Sequence, residues 1–524
     1  MPYTSRLIIG KATENNVTTS SGKSLIERIL TARVYDAAIE TPLDKAKNLS
    51  SRLNNNIFLK REDLQPVFSF KIRGAFNRMF QLTEPERARG VVAASAGNHA
   101  QGVALSGKQL GIRTTIVMPK TTPDIKVNAV KSFGGNAVLH GNNFDEAYAY
   151  ARQLEREEGM TFAHPFDDLD VIAGQGTIAM EVLRQHQDPI DAIFITVGGG
   201  GLLAGVGSYI KYLYPNTKII AVEHEEAPTF HDAFKAGKRV QLAQVGTFAD
   251  GAAVKLIGEQ TFDIASKIVD ETILVNTDET CAAIKDVFED TRTLLEPAGA
   301  LGLAGLKKYV EHYGLQGKNL VTITSGANIN FDRLRHVAER AELGEGREIL
   351  LAVTIPEQPG SFRQFCHAIG NRSISEFNYR YANQREAQVF AGVKISGGKA
   401  EREILLNELR AQHYSFVDMS DNEVAKIHLR YMVGGHAQGI ENEVLYRFMF
   451  PERPGALLHF LTSMGGNWNI SLFHYRNHGS DYGRVLVGIQ VPPNERAEFQ
   501  KFLENLGYEY WEETQNPAYQ RFLG

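Results

Sequence analysis

The sequence predicts an α/β protein: parallel sheet covered by helices over the first two-thirds, then two α+β modules of ferredoxin-like order. Three observations carry this expectation. From about residue 55 to 330, short apolar strands alternate with helical segments. Glycine-bearing turns stand where strands give way to helices. A segment that begins near residue 348 recurs 95 residues later.

The chain has 524 residues, enough for two to four domains, and 43% hydrophobic with 22% charged residues is ordinary for a soluble protein. A net charge of −5 implies no basic face, which argues against nucleic acid or an acidic membrane surface as partner. Two cysteines, Cys281 and Cys366, make neither a disulfide framework nor a cysteine-rich metal site. The first 25 residues hold one short apolar run, Leu7-Ile8-Ile9, and read as a loose arm. A secretory core needs about 7–15 apolar residues. No stretch approaches the roughly 18 apolar residues of a membrane span. The expected location is the cytoplasm.

Taken in order, GVVAAS is a strand, Ala96-Gly97-Asn98 breaks it, and HAQGVALSGKQLG is a helix. RTTIVMP is the next strand. DIKVNAVKSFGG is a helix with Ile125, Ala129, Val130 and Phe133 on one face, and NAVLHG is a strand again. Further on, DAIFITV, the glycines Gly198 to Gly201, LLAGVGSYIKYL and KIIAV repeat strand, turn, helix, strand. The first domain is expected over 1–335. Residues 336–347 are charged, carry glycines and read as a linker. The repeat gives modules at 348–425 and 442–524. Pro356, Pro359 and Gly360 match Pro451, Pro454 and Gly455 at an offset of 95. Phe362, Phe365, Cys366 and Ile369 match Leu457, Phe460, Leu461 and Met464, one helical face in each copy. ISxFxYR recurs at an offset of 96. Each copy then reads strand, helix, strand, strand, helix, strand.

Gly198 to Gly201 precede a helix, whose N-terminus carries about half a positive charge and turns backbone N–H groups toward an anion. That is a phosphate cradle. A rival reading uses the same residues: Gly199-x-Gly201-x-x-Ala204 with Glu223 some 20 residues on fits a dinucleotide fingerprint. The stretch VFSFKIRGA places Lys71 after Phe68 and Phe70. A lysine has an ordinary pKa of about 10.4, and desolvation lowers it. A neutral amine is what an imine-forming lysine needs. An aldehyde and a phosphate together are the two handles of pyridoxal 5′-phosphate (PLP).

SFKIRGA, SAGNHAQG, GGGGL and TSGAN together resemble the signatures of the fold-type II PLP enzymes, the two-lobed, tryptophan-synthase-β-like group. Within it the chain resembles the threonine dehydratases, whose regulatory region is ACT-like, and the resemblance spans nearly the whole chain. It implies that Lys71 bonds the PLP aldehyde, Phe70 lies at the cofactor and Asn98 bonds its ring oxygen. Gly198, Gly199, Gly200, Gly201 and Leu202 would hold the phosphate, and Ser325 would face the pyridine nitrogen. Ser95, Ala96, Gly97, Asn98 and His99 would bind the substrate carboxylate. No metal is implied. A hydroxyl at Ser325 does not keep the pyridine nitrogen protonated as a carboxylate would, and that weaker electron sink suits β-elimination better than transamination. The resemblance also implies L-threonine as substrate, 2-oxobutanoate and ammonia as products, isoleucine as inhibitor, valine as opposing effector and a homotetramer.

Serine dehydratase or racemase chemistry stays open, because threonine and serine differ by one methyl, worth about 1–3 kcal/mol in a pocket. A nicotinamide-dependent dehydrogenase or a non-catalytic amino-acid sensor would leave VFSFKIRGA unused. His164 to Asp167 and Gly174 to Thr177 are read as loops lining the site, and Glu223 to Glu226 as a solvated strand end. Phe377, Tyr379 and Tyr381, like Phe473 and Tyr475, are read as packing, with one Tyr from each copy available to an effector.

Overall fold

The computed structural model describes residues 23–523, except 123, 247, 332, 381–384, 423–424, 427–428, 432–436, 438, 452–455, 466, 477–481, 517–518 and 520–522. The chain divides into two compact units, with the boundary in sequence between Ala341 and Glu342. No described helix is long and apolar enough to cross a membrane.

The first unit holds two sheets. Strands β1 (Leu43–Lys45) and β2 (Asn56–Lys60) come first, then β3 (Val91–Ala94), β4 (Thr114–Met118), β5 (Asn136–Leu139) and β6 (Thr161–Phe162). They are followed by β7 (Ala192–Thr196), β8 (Lys218–His224), β9 (Glu271–Val275) and β10 (Asn319–Ile323). One sheet runs β5-β4-β3-β6, all parallel. The other runs β1-β2-β10-β7-β8-β9, parallel apart from the β1 edge. β3, β4 and β7 are buried along their whole length. Helices cover both faces of such sheets, so their strands are apolar without alternation.

Several details depart from the sequence reading. In the helix Asp124–Ser132, Val127 and Val130 are buried while Ile125 is 63% exposed, so the helix packs on an i, i+3 pair that the four-residue face did not single out. Gly174 to Thr177 lie inside the helix Leu169–Gln185, not in a loop. The glycines there serve close packing: a Cβ on Gly174 would fall 2.7 Å from the carbonyl oxygen of Arg73. Glu223 and His224 are buried, because β8 is an interior strand, and only Glu225 and Glu226 are exposed. Part of the segment read as a linker is helix, Arg333–Gly344, with Val337, Arg340 and Ala341 buried.

The helix Lys71–Phe80 lies against the helices Asn98–Leu110 and Leu169–Gln185. Glycines set its depth: a Cβ on Gly74 would meet Gln175 Nε2 at 2.3 Å, and one on Gly102 would meet Lys71 backbone at 3.3 Å. Beneath it, the Arg73 guanidinium pairs with Glu62 at 2.7 Å and Glu181 at 2.6 Å, and Lys60 pairs with Glu181 at 2.6 Å. All four side chains are fully buried. Two cations and two carboxylates cancel. Removing one would strand a buried charge, which costs about 3–5 kcal/mol.

The second unit contains the repeat. Its first copy comprises β11 (Glu348–Pro356), β12 (Ile374–Arg380), β13 (Glu386–Lys394) and β14 (Ser415–Asp418), with helices Ser361–Ile369 and Gly398–Ala411. The second comprises β15 (Glu443–Pro451), β16 (Asn469–Arg476), β17 (Tyr482–Gln490) and β18 (Glu509–Glu512), with helices Ala456–Met464 and Arg496–Leu506. β12 pairs antiparallel with β16, fusing the copies into one eight-stranded sheet. One apolar core runs beneath both, with Phe365, Phe377, Phe448, Phe460 and Phe473 fully buried. Tyr379 and Tyr475 are also buried, and the Tyr379 hydroxyl donates to Glu357. Tyr381 and the second turn, Pro454-Gly455, lie outside the described residues.

Candidate active site

Lys71 is the first residue of its helix, and its amine donates to the Pro165 carbonyl at 3.1 Å. Burial pushes its pKa down from 10.5 to about 8, against the pull of the Glu296 carboxylate. The Phe70 ring centroid lies 5.2 Å from the amine. Phe68 does not share in this desolvation: it is 54% exposed and its φ is +55°, in the left-handed region. That turn is held by Ser325 and Ala327. Phe70 N–H donates to the Ser325 carbonyl at 3.3 Å, and Ala327 N–H to the Phe68 carbonyl at 2.9 Å. Ser325 follows β10, is buried, and its hydroxyl donates to the Ala298 carbonyl at 3.4 Å.

The glycine turn sits between β7 and the helix Gly201–Leu213. Gly200 has φ +90°, a conformation a side chain resists. Packing forbids a Cβ at its neighbours. One on Gly199 would lie 2.1 Å from the Phe166 ring, and one on Gly198 would lie 2.9 Å from Ala252. Leu202 is buried behind them. Pro165 touches the lysine and Phe166 touches the glycines, so two consecutive residues bring amine and turn together. Their loop is pinned on both sides. His164 Nδ1 accepts the N–H groups of Phe166 at 3.3 Å and Asp167 at 2.8 Å. Asp167 accepts N–H groups from Glu259, Gln260 and Thr261. His164 to Asp167 thus shape the site.

The loop Ser95 to Asn98 leaves β3 and starts the next helix. A Cβ on Gly97 would meet nothing within 4 Å, so this partly buried loop faces open space. Ser95 Oγ accepts Gly97 N–H at 3.3 Å, and Ala96 is partly buried. The His99 ring turns away, with Nε2 bonded to the Ala163 carbonyl at 2.9 Å. Burial pushes its pKa down to about 3, so the ring is neutral.

Glu296, which the sequence reading missed, accepts from Asn98 Nδ2 at 2.5 Å. Burial raises its pKa to about 7. The signal was there to read: Glu296 is the one acid in LLEPAGALGLAGL, an otherwise apolar run. Glu223 lies elsewhere. Its carboxylate accepts the N–H groups of Phe230 at 2.8 Å and His231 at 2.7 Å, capping the helix Thr229–Ala236. Those bonds occupy the carboxylate that the dinucleotide reading needed for a ribose.

Residues 34–326 match the family of pyridoxal-phosphate dependent enzymes. Residues 339–429 and 434–523 each match the C-terminal regulatory domain of threonine dehydratase. Fold and site therefore define a PLP-dependent enzyme with a doubled regulatory domain. The biosynthetic L-threonine dehydratase of Burkholderia multivorans is 54% identical, over 95% of this chain and 99% of its own. That of Escherichia coli K12 is 53% identical over 96% and 97%. A solved threonine deaminase isoform 2 from Solanum lycopersicum is 50% identical, with a TM-score of 0.60 over 61% of this chain and 88% of its own. The chain belongs to the threonine dehydratases, PLP-dependent lyases of the biosynthetic type.

The residues present fit the cofactor. An aldehyde needs a buried amine of lowered pKa, which Lys71 provides. A phosphate needs side-chain-free backbone at a helix start, and here a Cβ would fill the turn.

Proposed function

We propose that the dehydration and deamination of L-threonine to 2-oxobutanoate and ammonia runs on Lys71, Asn98, Ser325 and the glycine turn. One observation supports this assignment above the rest: the Pro165-Phe166 step, which holds the lysine amine and the glycines at one place. PLP, when bound, supplies the electron sink that makes the substrate α-proton acidic. Lys71 would bond the aldehyde at rest, take the α-proton on Nζ once displaced, and pass a proton to the departing hydroxyl. The backbone N–H groups of Gly198 to Leu202 would hold the phosphate, with Phe70 beside the cofactor. Ser325 would meet the pyridine nitrogen through Oγ, and Asn98 the ring oxygen. Ser95 to His99 would hold the substrate carboxylate by main-chain N–H groups, in the space beside Gly97. Borohydride reduction followed by peptide mapping tests this. The pyridoxyl group is expected on Lys71, and a label on any other lysine would remove it from the mechanism.

The regulatory unit is proposed to bind isoleucine as inhibitor, with valine opposing it. Supporting this is a shallow surface cleft to which both copies contribute. Gly360 and Arg363 stand at the start of the helix Ser361–Ile369, facing Leu461, Met464 and Ile470. Helix N–H groups and a guanidinium suit a carboxylate, and the apolar wall suits a branched side chain. On the family resemblance, we place the enzyme in the cytoplasm as a homotetramer.

A further inference from the structure

Four groups at the site form a hydrogen-bonded chain whose direction is forced. At one end is the Val67 carbonyl, which only accepts. Asn328 Nδ2 donates to it at 2.8 Å. The same Nδ2 donates to Asn98 Oδ1 at 2.7 Å. Asn98 must then present its NH2 group at the other end, where Glu296 Oε1 accepts at 2.5 Å. Neither asparagine can flip without setting donor against donor or acceptor against acceptor. Each amide nitrogen carries two N–H groups. Asn328 spends both within the chain. Asn98 spends one on Glu296 and keeps one.

We infer that Glu296 and Asn328 are positioning residues that fix the polarity of Asn98, so that its remaining N–H is the group offered to the cofactor ring oxygen. This rests on the assignment of Asn98 made above. The surroundings are built for it. Gly326 leaves room for the acid, since a Cβ there would lie 2.4 Å from Glu296 Oε1. Glu296 N–H donates to the Gly326 carbonyl at 3.2 Å, holding the acid against the strand end that carries Ser325. Val67 belongs to the turn that leads into Lys71, so the chain of bonds also ties Asn98 to the lysine loop. An acid of pKa about 7 still offers a carbonyl acceptor when protonated. Geometry, more than charge, is the role.

That distinction gives the test. Glutamine is the isostere of the protonated acid and keeps an acceptor for Asn98. Leucine does not. Aspartate at 328 replaces the donor with acceptors and would drive the Asn98 amide to flip. The measurements are the PLP dissociation constant of the apoenzyme and the absorbance spectrum of the loaded enzyme, with Asn98→Ala as reference. Glu296→Leu and Asn328→Asp should weaken PLP binding about tenfold, to the level of Asn98→Ala, and shift the spectrum as it does. Glu296→Gln should restore both. If Asn98→Ala itself binds PLP like the wild type, the assignment of Asn98 fails. If Asn98→Ala is impaired while Glu296→Leu and Asn328→Asp are not, the positioning inference fails alone. If Glu296→Gln is as poor as Glu296→Leu, charge rather than geometry is at work and the inference is overturned.

Discussion

Two glycines at the site should answer an added methyl in opposite ways. At Gly199 the new Cβ would lie 2.1 Å from two atoms of the Phe166 ring. Carbon atoms prefer about 3.5 Å or more, so the ring or the turn must yield by over 1 Å. The ring is poorly placed to yield, because Phe166 N–H is bonded to His164 and the adjoining Asp167 caps a helix. Overpacking of this kind costs about 1–3 kcal/mol. If that strain falls on the loaded state, PLP binding weakens roughly 5- to 150-fold. At Gly97 the Cβ would meet nothing within 4 Å, so the methyl enters the proposed substrate space and leaves the cofactor alone. The assays are equilibrium dialysis of PLP against apoenzyme and steady-state formation of 2-oxobutanoate. Gly199→Ala should lose cofactor affinity. Gly97→Ala should keep it and raise KM for threonine. Wild-type PLP binding in Gly199→Ala, or lost cofactor with unchanged KM in Gly97→Ala, would refute the division of labour between the two loops.

Two further expectations concern the lysine and the effector cleft. The neutral amine is the nucleophile toward PLP, and the pKa of Lys71 is lowered to about 8 in the fold, so reconstitution of apoenzyme should accelerate as pH rises toward 8 and level off above it. A rate still climbing steeply through pH 10 would mean the lysine is not desolvated. Arg363→Ala should raise the isoleucine concentration for half-inhibition about tenfold while leaving the uninhibited rate intact, and an unchanged midpoint would move the effector carboxylate elsewhere.

The parts of the site that were legible in the sequence are those whose chemistry is local. A glycine run before a helix and a lysine beside an aromatic ring are set by a few neighbouring positions. What was hidden depends on neighbours distant in sequence. Glu296 meets Asn98 across 198 positions, and as the residue before Pro297 it reads as an ordinary helix start. Glycine misled at 174–177, since a glycine that lets two helices touch looks the same in sequence as one that turns a loop. Strand ends misled at Glu223 and His224 for a related reason. In an interior parallel strand an acid can be buried if the next helix supplies N–H donors, and here the Thr229 helix does so for Glu223. The aromatic pair before Lys71 was half right: Phe70 faces the amine, while the left-handed turn at Phe68 puts that ring outside.

The regulatory repeat carries a second polar pattern that the apolar periodicity conceals. Glu348, Ser375 and Gly392 of the first copy correspond to Glu443, Ser471 and Gly488 of the second, at offsets of 95, 96 and 96. In each copy the serine, placed where the strand register slips, donates to the glutamate that opens the first strand. The glycine on the next strand makes room: a Cβ on Gly392 would lie 2.4 Å from Ser375 Oγ, and one on Gly488 would lie 2.8 Å from Glu443 Oε1. A carboxylate packed against an apolar module is costly unless it is bonded, and the serine supplies that bond in each copy. The next partner differs. The chain after the first copy supplies Arg430, whose guanidinium joins Glu348 at 3.0 Å and also Glu376. The chain after the second supplies Tyr519, which donates to Glu443, and Leu472 stands where Glu376 would be. Among the described contacts, the first copy's glutamate thus meets a buried guanidinium and the second copy's a tyrosine hydroxyl. Truncating Arg430 would break its buried ion pair with Glu348, at about 3–5 kcal/mol. The two copies thus share the glutamate-serine-glycine trio and differ in the described side chain that closes it.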